Sequence, residues 1–102
     1  MAEQATGNSC RLDAQGLTLQ LDRYLALAPH VVRLEREDGT LRAELAADAD
    51  ERLLSEALAV ERECCSFLAI EHDPAAGTLT ISAPRGGAEA VDAIAAALSG
   101  AR

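Results

Sequence analysis

At 102 residues with 49% apolar side chains, the chain is long enough to bury one core and too short for two, which predicts a single globular domain. Its formal net charge is −8 and its basic residues are all arginine, so phosphate is repelled and a general nucleic-acid binder is excluded. No apolar run nears the roughly 20 residues of a membrane helix, and "MAEQATGNSC" lacks the basic start and apolar centre of a secretory signal; a cytoplasmic protein with no membrane partner is expected.

Residues 1–9 read as a disordered terminus and 10–100 as the domain. The stretch "RLDAQGLTLQLDRYLALAP" predicts a first helix capped by Asp13 and stopped by Pro29, with Leu17, Leu21, Tyr24, Leu25 and Ala28 on one stripe. Next, "HVVRLERE" and "TLRAELA" flank Asp38-Gly39, the strongest short-range hairpin signal. Val32, Leu34, Leu41, Ala43 and Leu45 should face the core. The charged alternates Arg33, Glu35, Arg42 and Glu44 should meet water.

A second helix is expected to begin at Asp48 or Asp50 and to end at Cys65. A second hairpin joins "SFLAIEHD" to "TLTISA" across "PAAG", with Leu79 and Ile81 inward. The last helix carries Val91, Ile94, Ala95 and Leu98 on its apolar stripe and ends at Gly100. The predicted fold is therefore α+β: order α-β-β-α-β-β-α, two hairpins forming a four-stranded, largely antiparallel sheet with helices on one face.

The central helix holds the most informative position. At about 100° per residue, Leu53, Ala57, Val60 and Cys64 line one edge of its apolar stripe, and Leu54, Leu58 and Cys65 line the other. Glu61 falls between these rows, while Arg52, Ser55, Glu56, Arg62, Glu63 and Ser66 share the opposite face. A buried carboxylate needs a partner or a change of protonation. Cys64 and Cys65 stand three and four residues on, the spacing at which side chains meet on a helix.

Thiolates favour Cu(I), Zn(II), Hg(II) and thiophilic metalloids, and a carboxylate can act as ligand, proton acceptor or support. Cys10 would supply a third sulfur if the N-terminus folds over the end of the central helix. The chain has three cysteines, an odd number unlike a disulfide scaffold, and in a reducing compartment all three should be free thiols. Free cysteines are also among the most buried residues, so inert core thiols are the competing reading. A structural ion pair is the competing role for Glu61, with Arg23 or Arg11 as its partner. His72 and Tyr24 are secondary site candidates, and neither His72 nor His30 shows ligand spacing.

The run "ERECCSF" following an N-terminal cysteine resembles a family of small bacterial proteins with that cysteine and an E-R-E-C-C-x-F pattern. The resemblance implies that Cys10, Glu61, Cys64, Cys65 and Phe67 belong to one constellation. Ser66 stands where some relatives have proline, which leaves the helix end less rigid.

Capture, buffering or delivery of a soft or borderline metal or metalloid ion by Cys10, Cys64 and Cys65, with Glu61 in support, is the expected function. A thiol-dependent enzyme, redox or cleaving a metal–carbon bond, is an alternative. It is disfavoured because a helix C-terminus opposes a thiolate. A structural domain that homodimerises through its sheet is the third.

Overall fold

The computed structural model describes residues 13–65, 67–84 and 86–100. The expectations for residues 1–9, Cys10, Arg11 and Ser66 lie outside them. Helix α1 spans Ala14–Leu27 and runs into a single 3₁₀ turn, Ala28–His30. Strands β1 (Val31–Glu37) and β2 (Thr40–Leu45) form the first hairpin. Helix α2 covers Glu51–Cys64, strands β3 (Ala69–Asp73) and β4 (Thr78–Ser82) form the second hairpin, and α3 covers Ala88–Leu98. All neighbours in the sheet are antiparallel, in the order β1-β2-β4-β3. The expected α+β order and four-stranded sheet are thus what the chain adopts.

Alternation along the strands places the core. Leu41 and Ala43 of β2 stand opposite Ile81 and Leu79 of β4, and all four are fully buried beneath the helices. Burying each Leu or Ile side chain contributes about 1.5–3 kcal/mol. On the other face Arg33 lies opposite Glu44 and Glu35 opposite Arg42, all exposed. These cross-strand pairs match charge to opposite charge.

Val32 departs from the expected pattern and is 67% exposed. An irregularity in register between Val31 and Arg33 shifts the alternation, so Val31 and Leu34 pack against the core. Arg36, on the same side, reaches over the sheet's edge to Asp92 of α3.

The helix ends follow their side chains. Asp13 accepts from the Gly16 amide at 2.7 Å and Asp50 from the Leu53 amide at 3.1 Å, so Asp50, not Asp48, caps α2. The buried residues of α1 are Gln20, Tyr24 and Leu27; of the predicted stripe, Tyr24 is buried and Leu21 and Leu25 pack against the core. Leu17 is 45% exposed, and Leu21 and Leu25 flank a groove against Ala93 and Ala96 of α3. Helix α1 packs on both α2 and α3, so its inner face must fit two neighbours, and a polar residue that finds a partner can take a place there. In α3 the expected Val91, Ile94, Ala95 and Leu98 are all buried.

Candidate functional site

Helix α2 buries Leu54, Ala57, Leu58 and Glu61, so the carboxylate does face inward, at 3% exposure. Arg52, Ser55, Glu56, Arg62 and Glu63 lie on the exposed face. What accommodates Glu61 is α1. The Tyr24 hydroxyl, itself fully buried, donates to Glu61 Oε2 at 2.6 Å. One turn earlier on both helices, Gln20 Nε2 donates to the Ala57 carbonyl at 2.8 Å. The two contacts join residues 37 apart in sequence, so α1 and α2 run in the same direction, tied on successive turns.

Arg23, a predicted partner for Glu61, instead donates from Nη1 to Gln20 Oε1 at 2.8 Å. Its charge therefore comes to the network through an amide. Burial holds the Tyr24 phenol proton far above its ordinary range, and the charge and hydrogen bond of Glu61 reinforce this, against smaller opposing effects of Gln20 and Arg23. The phenol is thus a permanent donor near neutrality. Among the described residues, Tyr24 is the only hydrogen-bond donor to the Glu61 side chain, and it occupies one oxygen.

The helix ends one residue sooner than expected. Cys64 is its last residue, and Cys65 leaves it at φ −129° and ψ 60°, its amide still bonded to the Glu61 carbonyl at 2.7 Å. The consecutive sulfurs therefore stand in different surroundings. Cys64 is half-buried and free, whereas Cys65 is 2% exposed and disulfide-bonded. That bond departs from the expectation of three free thiols.

The chain then turns through Phe67, whose ring lies against Gly87 at the start of α3, and Leu68, whose amide bonds the Cys65 carbonyl at 3.0 Å. The end of α2 is thereby held between α1 and the entry to α3.

Of the predicted site residues, Glu61 and Tyr24 are in contact, and Cys64 and Cys65 follow on the next turn. Cys10 lies outside the described residues. His72 is elsewhere: it pairs with Leu79 in the sheet and lines a cavity with Glu51, Leu54 and Pro74 near the start of α2. His30 pairs with Asp48 at 3.2 Å. Among the described residues no three His, Cys, Asp or Glu side chains are grouped to hold a metal ion.

Gln20 is the participant that sequence reasoning missed. Its signal was the i, i+4, i+7 spacing with Tyr24 and Leu27. No helix among the described residues is long and apolar enough to cross a membrane. No family model, no curated protein and no solved structure matches the chain.

Proposed function

We propose that the end of α2 is a thiol site which, once reduced, binds one soft or borderline ion, such as Zn(II), Cu(I), Hg(II) or a trivalent metalloid. Cys64 and Cys65 act as sulfur ligands, Cys10 is the third, and Glu61 is the supporting carboxylate. The observation that carries this reading is the buried Glu61 carboxyl. One oxygen is bonded to Tyr24 and the other has no partner among the described residues, with Cys64 and Cys65 three and four residues further along the chain. A buried polar atom left unmatched costs about 1–3 kcal/mol, and that cost is explained if the atom serves a ligand. Thiolate sulfur selects thiophilic ions, and a carboxylate oxygen beside it can serve as a further ligand or support.

Native mass spectrometry of protein reduced with a phosphine, then offered Zn(II), Hg(II) or trivalent arsenic in turn, tests this. One ion per chain is expected, with affinity lost at least a hundredfold in Cys64→Ser/Cys65→Ser. Equal uptake by the wild type and the Cys64→Ser/Cys65→Ser variant overturns it.

The disulfide at Cys65 beside the free Cys64 favours a second reading, thiol–disulfide exchange. An incoming thiolate attacks one sulfur of the bond, forms a mixed disulfide with it and releases the other sulfur as thiolate; a second thiol completes the reduction. Alkylation and peptide mapping without reductant should label Cys64 alone, and all three cysteines after reduction. Labelling of all three without reductant removes this reading and leaves the first standing.

A further inference from the structure

The two rungs between α1 and α2 lie on the turn of Glu61 and the turn before it, and both use side chains that packing alone would not select. Gln20 is 2% exposed. Its amide nitrogen is committed to the Ala57 carbonyl and its oxygen to Arg23. Tyr24 is one turn further along α1, and its hydroxyl donates to the carboxyl at 2.6 Å. A leucine in place of Gln20 or a phenylalanine in place of Tyr24 would nearly fill the same space without a desolvation cost, because buried polar atoms gain nothing unless every bond is made.

We infer that Gln20 and Tyr24 are positioning residues: they lock α1 to α2 in register, so that Glu61 is held by one oxygen and presents the other to whatever binds at the end of α2. This rests on the ion-binding reading above, and it assigns roles to two residues outside the ligand set. Gln20 fixes the height of α1 against α2, and Arg23 orients Gln20 by occupying its oxygen. The buried Tyr24 hydroxyl donates to Glu61 Oε2 at 2.6 Å, so Glu61 cannot rotate its bonded oxygen away without breaking that buried hydrogen bond. Among the described residues, the other ionisable side chains nearest the carboxyl along these two helices are Arg23 on α1 and the cysteines that end α2. Strands β2 and β4 and helix α3 contribute apolar residues to this core, among them Leu41, Ile81 and Val91.

The test exploits the composition, since Tyr24 is the only tyrosine and tryptophan is absent. In the reduced wild-type protein, Zn(II), with Hg(II) under thiol competition as second probe, should change the tyrosine fluorescence on binding, and Glu61→Gln should abolish that change while still binding through sulfur. In a double-mutant cycle, Tyr24→Phe should weaken Zn(II) binding about tenfold in the Glu61 background, the worth of one hydrogen bond to a charged group, and not in the Glu61→Gln background. Equal weakening in both backgrounds marks Tyr24 as merely structural and overturns the inference, as does ion binding with unchanged tyrosine emission. The emission measurement needs no variant at Tyr24, so it decides the matter even if Tyr24→Phe fails to fold. Failure of the reduced wild type to take up either ion would overturn the parent reading instead, and the inference with it.

Discussion

Raising the pH beyond about 10 will destabilise this protein while its buried tyrosine stays protonated. The Tyr24 proton is held far above the ordinary value of 10.0 by burial and by Glu61. At lower pH both the folded and unfolded chains carry the proton, and its stabilising effect is fully present. Above about 10 the unfolded chain releases the proton and the folded chain does not, so stability falls by about 1.4 kcal/mol per pH unit from this one group.

Against a typical stability of about 5–15 kcal/mol, two units of alkalinity from one phenol are a serious loss. Urea midpoints measured from pH 8 upward should decline more steeply for the wild type than for Tyr24→Phe, which lacks the titrating group. Tyrosinate absorbance should rise together with the loss of helical circular dichroism. Smooth ionisation near pH 10 in a protein that keeps its helices would show that the phenol is not sealed by Glu61.

Substituting Gly87 by alanine should be the most damaging small change near the site. The residue sits at φ +90° as the cap of α3, a conformation that costs an L-residue about 1–2 kcal/mol. A Cβ there would lie 2.5 Å from Phe67 Cε2 and 3.0 Å from Cδ2, so the ring must move, and overpacking of this kind costs about 1–3 kcal/mol more. The sum is about 2–5 kcal/mol in a urea unfolding experiment.

Gly100 supplies the control, with φ +88° and open space for 4 Å around the place a methyl would occupy. Gly100→Ala should show the conformational cost alone, about 1–2 kcal/mol. Phe67→Leu should recover part of the Gly87→Ala loss but none of the Gly100→Ala loss. Equal destabilisation by the two alanines would remove the ring from the account. Because Phe67 follows the cysteine pair, the same clash should also alter the alkylation rate of Cys64 in Gly87→Ala.

The strand and helix order was readable because alternation of period two and stripes of period 3.6 are written in Leu41, Ala43, Leu79 and Ile81 and in Val91, Ile94 and Leu98. Glu61 was readable for a related reason: a charge in the middle of an apolar stripe contradicts its neighbours. Val32 was not, since one irregularity in pairing reverses the faces of a strand end and no residue type announces it. The inner face of α1 was legible only in part: Tyr24, Leu21 and Leu25 meet the core, but Gln20 and Leu27 were not on the predicted stripe. Its leucines suggested a stripe, but which side a helix buries depends on its partners, and Gln20 owes its interior place to a carbonyl 37 residues away. Pairing Arg23 with Glu61 was reasonable from charge alone. The structure sends the cation to an amide because Tyr24 already holds the carboxyl.

The common direction of the two tied helices has an electrostatic consequence. From the Tyr24–Glu61 rung, α1 continues to Leu27 and α2 to Cys64, so their carbonyl-rich ends emerge at about the same level. Each such end carries the equivalent of roughly half a negative charge, and side by side the two fields add where they would cancel in an antiparallel pair. The sulfurs therefore sit in a negative potential that the backbone itself supplies, one that welcomes a positive ion and turns away oxyanions.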